Sequence, residues 1–351
     1  MRFIDTFSGV GGFHIGIKRA IKDARCVASI EIDKSASKVY AENFGDVKQY
    51  SDITEVSPTD LPDHDMLVGG FPCQPFSVNR SSADKGRLDP NDNRGNLFMS
   101  LANICRAKMP KYFLFENVAK LVTTKNSDGE PMIDVITREM QSIGYSVSHK
   151  ILNSNDFGVP QQRKRVFIAG SLSGKTPVFP VGNTSGLVVR DILQDWVDVD
   201  PKLLAKNKLK NSYLNMNKGK LKLDAFRECY KPMEGGKQPG KICPVSIIMN
   251  DTPSGISRQH DRLYSIDGIS RTLATFGHPY FDVDGTWRLL TAREFARLQG
   301  FPERFVVDRN DNKAMKQFGN AVTVNVIDSV VGSIVSDDYS ADTRAFHAEG
   351  F

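Results

Sequence analysis

The sequence predicts an α/β chain, with a mostly parallel sheet covered by helices on both faces and a smaller, loop-rich domain after it. Three observations predict this. Strand-like and helix-like segments alternate through the first half. The strand-like runs close on Asp5, Glu31, Gly69 and Glu116, at the carboxyl ends where open α/β sheets bind ligands. After about Gly170 the periodicity fades, and Gly, Pro, Asn and Lys become frequent.

The elements follow in order. Arg2 to Thr6 is a short apolar run leading into FSGVGGF. Phe13, Ile17, Ala20, Ile21 and Ala24 then recur at helical spacing. Cys26 to Ile30 reads as a strand, and Met66 to Val68 as another stopped by Gly69 and Gly70. Leu97, Leu101, Ile104 and Cys105 mark a helix, and Tyr112 to Phe115 a strand. Ile133, Ile136, Met140 and Ile143 mark a further helix before two closing strands, Tyr145 to Leu152 and Arg165 to Ala169. In LTAREFARLQGFP, Thr291 and Glu294 form a capping-box pair, and Gly300 with Pro302 ends the helix. QFGNAVTVNVIDSVVGSIV reads as one last helix with Val326, Val330 and Ile334 on a stripe.

Bulk properties narrow the class. A chain of 351 residues can bury one large and one smaller core. No apolar run reaches membrane-spanning length, and Asp5 interrupts any signal core, so a soluble, intracellular protein is expected. The five cysteines form no CxxC and are odd in number, which speaks against a disulfide framework or a bound metal. The net charge of +5 permits a polyanionic partner, and the lysines crowd between Lys202 and Lys241. Such a run is commonly a solvated face; a phosphate-facing surface is the alternative.

The loop from Asp5 to Gly12 carries glycines that let backbone approach a ligand at a helix start, but it is not GxGxxG. Its leading acid would repel a pyrophosphate and suits an amine-bearing ligand. Glu31, some twenty residues on, is placed to accept ribose hydroxyls, and Asp52 to accept an adenine amine. Together they describe a nucleoside-cofactor site whose cationic tail favours S-adenosylmethionine over NAD. In GGFPCQPFS, flanking prolines keep Cys73 out of regular structure. A free thiol is only about a tenth or less thiolate at neutral pH, so a nucleophilic Cys73 needs partners. Glu116 ends a strand at the same sheet edge, and Arg163 and Arg165, two apart, are expected on one strand face.

DTFSGVGGF, GGFPCQPFS, RGNLF, FENV, QQRKRVFIAG and QFGNAVTVNVI, in this order, resemble the C5-cytosine DNA methyltransferase family of bacterial restriction-modification type. The likeness covers nearly the whole chain apart from the lysine-rich middle. It implies a Rossmann-like S-adenosylmethionine-dependent domain over 1–180, a target-recognition domain over 181–284, and a hinge and C-terminal helix returning to the first domain over 285–351. It implies Cys73 as the nucleophile at cytosine C6, Glu116 holding the base edge, and Arg163 and Arg165 steadying the site. Phe7, Gly9, Gly11, Glu31, Asp52, Pro72, Leu97 and Asn320 fall where the family touches the cofactor. Ile32 departs from the aromatic or polar residue often found after the ribose acid. The implied setting is a cytoplasmic bacterial monomer acting on double-stranded DNA, in possible partnership with a restriction endonuclease. The polar stretch from Val78 to Arg94 is expected to close over DNA as a lid, an idle surface loop being the alternative.

Three other readings stand beside it. An RNA cytosine-5 methyltransferase would share the motifs, although the insertion before RTLAT favours a DNA target domain. An NAD dehydrogenase explains the glycine loop but not PCQ, ENV or QxRxR. A catalytically dead DNA-binding homologue would have lost Cys73 or Glu116, and both are present.

Overall fold

The computed structural model describes residues 1–45, 47–72, 96–126, 128–195, 203, 237–247 and 262–336. Its contacts divide the chain into two units. Among the described residues, unit 1 holds 1–153, 164–182 and 321–336; unit 2 holds 154–163 and those of 183–320. Relative to the expected boundaries at 180 and 284, unit 1 resumes only at Ala321, and unit 2 also takes the short segment 154–163.

Unit 1 is built on a seven-stranded sheet of β1 (Arg2–Thr6), β2 (Arg25–Ile30), β3 (Gln49–Tyr50), β4 (Met66–Gly70), β5 (Tyr112–Val118), β6 (Ser146–Asn153) and β8 (Lys164–Ser171). The order is β3-β2-β1-β4-β5-β8-β6. The first five strands pair in parallel, and β8 runs antiparallel to both of its neighbours. The central strands read as continuous apolar runs because both faces are covered: Phe3, Ile4, Leu67, Val68, Phe113 and Leu114 are fully buried. The covering helices include α1 (Gly12–Ala20), α2 (Lys34–Phe44), α3 (Asn96–Lys108) and α4 (Met132–Ile143). Ile136 and Met140 of α4 and Leu101 and Cys105 of α3 enter one cluster with Phe71, Phe113 and Phe115. This is the expected α/β layering with the closing antiparallel pair in place.

Unit 2 contains β7 (Gln161–Gln162), β9 (Pro244–Ile247), β10 (Arg262–Ser265), β11 (Ser270–Arg271), β12 (Tyr280–Val283) and β13 (Thr286–Arg288), followed by α5 (Ala292–Leu298) and α6 (Asp311–Asn320). β13-β12-β10-β9 form one sheet, and β7 pairs with β11 in parallel. α5 starts on the anticipated capping box, with Thr291 accepting from the Glu294 amide and Glu294 accepting from the Thr291 amide.

Two local readings need correction. The last helix is two: α6 stops at Asn320, and α7 (Val324–Ile334) starts after Ala321–Thr323. Apolar residues run through the break and conceal it. Val326, Val330 and Ile334 do share the buried stripe of α7, which packs on α1. Gly69 and Gly70 do not stop β4 but continue it, paired with Phe115 and Glu116. A Cβ on Gly69 would lie 2.1 Å from Thr6 Oγ1, so glycine there admits the neighbouring strand.

Candidate active site

The glycine loop leaves β1 through Phe7, whose φ of 50° is unusual for a bulky residue. Its amides are tied to the end of β2: Ser8 N–H donates to Ile30 O at 3.1 Å, and Gly9 N–H to Glu31 Oε2 at 2.7 Å. Glu31 Oε1 accepts from the Asp33 amide at 2.8 Å. Asp33 in turn caps α2 through the Ser35 and Ala36 amides. Burial pushes the Glu31 carboxyl up, and the two amides pull against that. An ionised carboxylate has about four lone-pair sites, so Glu31 keeps capacity for a diol. It is half-buried. A Cβ built on Gly9 would meet no atom within 4 Å, so a ligand can approach this backbone closely. Gly11 differs: its Cβ would strike Phe44 at 2.2 Å, and packing requires the glycine.

The end of β3 reaches the same corner, where Glu31 N–H donates to Tyr50 O at 3.0 Å. Asp52 follows two residues later. Its Oδ1 accepts the Thr54 amide at 2.9 Å and the Thr54 hydroxyl at 2.7 Å, so part of its capacity closes a turn. Phe7, Tyr50 and Leu97, all partly buried, pack against one core cluster containing Phe71. Pro72 is exposed. Glu31 and Asp52 thus keep acceptor capacity, Phe7, Tyr50 and Leu97 offer apolar surface, and the Gly9 backbone is open, a set of groups whose chemistry suits a nucleoside with an amine-bearing tail.

Behind the loop sits an acid that receives no hydrogen bond. Asp5 is fully buried, and neither carboxylate oxygen has a hydrogen-bond partner. Burial, then the Glu31 charge, hold its carboxyl well above the usual range. The His14 amide and Tyr40 hydroxyl oppose this without reaching hydrogen-bond geometry. His14 Nδ1 meets Tyr40 Oη at 2.8 Å, and its ring stacks on Phe44 at 3.9 Å. Burial lowers the His14 pKa to about 3 and raises that of Cys26, beside the Tyr40 hydroxyl, to about 12. Composition gave no sign of this cluster, because His14 and Tyr40 occupy apolar helix faces.

The second half of the site lies at the ends of β4 and β5. Register places Gly70 beside Glu116. A Cβ on Gly70 would lie 3.2 Å from Glu116 Oε2, so the carboxylate rests against the β4 backbone. Asn117 Nδ2 donates to Phe71 O at 2.9 Å, fixing the chain just before Pro72 and Cys73. Asn117 was not among the expected site residues, although it stands in the ENV motif. Nothing in the residue pattern marks a bond to a carbonyl 46 positions away. Cys73 and the 78–94 stretch lie outside the described residues.

Arg165 pairs across the sheet with Val118, on the Glu116 side of β5. Its Nε lies 3.0 Å from Glu116 Oε1. The contact is an ion pair out of hydrogen-bond alignment, leaving Oε1 without a hydrogen bond. Arg163 does not share a strand face with Arg165. It precedes β8, belongs to unit 2, and is buried, with Nη1 donating to Leu273 O at 3.2 Å. Strand pairing starts only at Lys164, opposite Asn153, so alternation does not reach back to Arg163. Asn320 ends α6 in unit 2 and is exposed. Among the described residues no group of three or more His, Cys, Asp or Glu could hold a metal, and no helix is long and apolar enough to cross a membrane.

Comparison with known proteins extends this geometry. The chain is 32% identical over 345 residues to Type II methyltransferase M.HhaI of Haemophilus parahaemolyticus, spanning 96% of this chain and 94% of that one. It is 34% identical over 347 residues to Type II methyltransferase M.HaeII of Haemophilus aegyptius, spanning 98% and 96%. The crystal structure of the Schizosaccharomyces pombe Dnmt2 methyltransferase superposes with a TM-score of 0.66 at 20% identity, over 96% of this chain and 99% of that chain, a likeness of fold. The family profile for C-5 cytosine-specific DNA methylase matches residues 1–336. A Rossmann-like sheet with a Glu116–Arg165 pair at its edge thus accompanies a family match over residues 1–336: the chain belongs to the C-5 cytosine-specific DNA methylases and is a DNA cytosine methyltransferase.

Proposed function

We propose that the protein methylates C5 of a cytosine flipped out of a specific double-stranded DNA sequence through a covalent bond between Cys73 and cytosine C6. The donor in this reading is S-adenosylmethionine and the product S-adenosylhomocysteine. The observation that carries it is the β4–β5 register: Glu116 lies beside Gly70, and Asn117 holds the Phe71 carbonyl two residues before Cys73.

Glu31 would accept the ribose hydroxyls, with Phe7, Gly9, Gly11, Asp52, Pro72, Leu97 and Asn320 completing the cofactor contacts. When bound, the cofactor supplies an electrophilic methyl carbon. The chain's own residues make cytosine reactive enough to take it. Cys73 adds its sulfur to C6 and breaks the ring's aromaticity. Glu116 binds the base edge and delivers a proton toward N3, which neutralises the ring as C5 becomes an enamine carbon. Arg165 holds the Glu116 carboxylate in place, and Arg163 steadies the base. Loss of the C5 proton then expels the sulfur. The target atom is hidden in the stack, so the base must be extruded, at a cost of a few kcal/mol.

The region 181–284 is assigned to target recognition and its lysines to phosphate contact. The 78–94 stretch is assigned to closing over the DNA. The names of the relatives support a pairing with a restriction endonuclease. The reading includes a monomer in the bacterial cytoplasm.

Tritium transfer from labelled S-adenosylmethionine to duplex DNA, with transfer RNA as the competing acceptor, tests the substrate. Duplex carrying 5-fluorocytosine should trap the wild type covalently, because fluorine cannot leave as a proton. Cys73→Ser should neither turn over nor trap. Trapping by that variant, or transfer to RNA alone, would end this reading.

A further inference from the structure

Arg163 and Asn320 are far apart in sequence, yet one run of buried amides joins the segments that carry them. Arg163 Nη1 donates to Leu273 O at 3.2 Å. The Leu273 amide donates to Gln161 Oε1 at 3.0 Å. Gln161 Nε2 donates to Leu298 O at 2.8 Å and, at 3.4 Å, to Gln299 Oε1. Gln299 Nε2 donates to Phe318 O at 2.8 Å, two residues before Asn320. Both glutamines are fully buried, and Leu273, Leu298 and Phe318 are buried around them. Every bond in the run lies within unit 2.

The chemistry of this run is specific. Gln161 uses its carbonyl on an N–H and both amide hydrogens on oxygens, so neither a carboxylate nor an apolar side chain reproduces it. A buried polar network of this kind is strong when complete and costly when cut, because each cut leaves an unmatched donor or acceptor out of water. A lone structural glutamine would need only local partners. Here the partners come from four segments: the QQRKR segment, the RTLAT segment, the end of α5 and the end of α6.

We propose that Gln161 and Gln299 are positioning residues that lock the base-side Arg163 and the cofactor-side Asn320 into one rigid piece. The roles of Arg163 and Asn320 rest on the functional reading above; the relay itself rests on the bonds just described. Cutting it in the middle should therefore disturb both ends. A Gln161 variant should weaken cofactor binding, although Gln161 is nowhere near Asn320 in sequence. A Gln299 variant should slow transfer to the base, although Gln299 stands outside QxRxR.

The test uses Gln161→Met and Gln299→Met, which keep length and remove the amides, together with their double variant. Each single variant should lower kcat by about 10- to 100-fold, the scale of an ångström-sized misplacement. Each should also raise the dissociation constant for S-adenosylhomocysteine. Residues acting as one unit are non-additive, so the double variant should be no worse than the poorer single one. Gln161→Glu supplies a second readout that survives if the Met variants fold badly. A neutral glutamic acid accepts from Leu273 and donates onward; a carboxylate cannot donate. Its activity relative to wild type should therefore recover as pH is lowered. Wild-type kcat and cofactor affinity in both Met variants, additive losses in the double variant, or a flat Gln161→Glu ratio across pH would each overturn the relay. A wild type that transfers no methyl group to DNA would overturn the functional reading first, and the positioning role with it.

Discussion

Each unit holds a glutamate–arginine pair, fully buried in unit 2 and part-buried in unit 1, and the two pairs are built differently. In unit 2, Arg288 and Glu294 are 1% and 0% exposed and meet through two parallel bonds of 2.7 Å. Glu294 also accepts the Thr291 and Gln194 amides, each at 2.8 Å. Four bonds fill the roughly four acceptor sites of a carboxylate. In unit 1, Arg165 and Glu116 touch once at 3.0 Å out of alignment, and Glu116 Oε1 has no hydrogen bond. A saturated carboxylate has nothing left to offer a substrate. An under-satisfied one at the carboxyl edge of a sheet does. The first pair joins β13 to α5, and the second leaves acceptor capacity beside Gly70 at the β4–β5 edge.

The sharpest way to break this contrast is to neutralise each acid. Glu116→Gln should cut methyl transfer by about 10²- to 10⁴-fold, the usual weight of a positioned acid or base, while the melting temperature holds. Glu294→Ala should act the other way. It strands a buried guanidinium and should cost about 3–5 kcal/mol of stability in urea unfolding. If Glu116→Gln also unfolds the protein, or Glu294→Ala leaves the midpoint in place, the division between a working pair and a structural pair is wrong.

The same contrast explains what could be read from sequence. The acids Asp5, Glu31 and Glu116 were legible near the carboxyl ends because buried parallel strands are apolar runs and an acid in one is conspicuous, although β1 runs on to Thr6 and β5 to Val118. The Thr291–Glu294 cap was legible because its two residues are three apart on one helix turn. Properties that depend on distant partners were not. Asn117 binds a carbonyl brought near by strand order, and Gln161 and Gln299 meet across four segments. The continuation of β4 through Gly69 and Gly70 follows from Thr6 and Glu116 needing space, which local propensity does not register. Strand alternation predicts one face for Arg163 and Arg165, but pairing starts only at Lys164 and Arg163 lies one residue outside it.

The two acids proposed to bind the cofactor allow a smaller and finer comparison. Glu31 accepts one amide on each oxygen and stays half-buried. Asp52 has one oxygen engaged by both Thr54 donors. Loss of a hydrogen bond to either acid should weaken S-adenosylhomocysteine binding within the usual range of about 1–3 kcal/mol. Glu31→Gln should fall near the top of that range, because its NH2 must face either the Gly9 or the Asp33 amide and leaves that donor without an acceptor. Asp52→Asn should fall near the bottom. Calorimetry that ranked them in reverse would place the main polar contact at Asp52.

The smallest effect near neutral pH concerns the two titratable groups behind the loop, whose signs oppose. His14 has a folded pKa of about 3 against 6.5 for the free side chain. As pH falls below 6.5, the unfolded chain takes up a proton that the folded chain refuses, so His14 removes stability progressively down to about 3. Asp5 is raised well above 3.8. Between 3.8 and its folded pKa, the folded chain holds a proton that the unfolded chain has released, so its contribution is lost as pH rises. Glu31 shares that sign, while His64 and His278, both lowered by burial, share the sign of His14. Where the two windows overlap the arms partly cancel, and each is bounded by one proton, about 1.4 kcal/mol per pH unit. Asp5→Asn removes one arm, so its stability should fall more steeply on acidification than that of the wild type. His14→Phe keeps an aromatic ring against Phe44 and removes the other arm, so its curve should flatten or reverse. Unfolding free energies should fan apart below pH 6.5, and above it the wild-type and His14→Phe curves should run parallel. Three parallel curves would mean that neither group is held away from its ordinary pKa, and the cluster behind the glycine loop would then be ordinary packing.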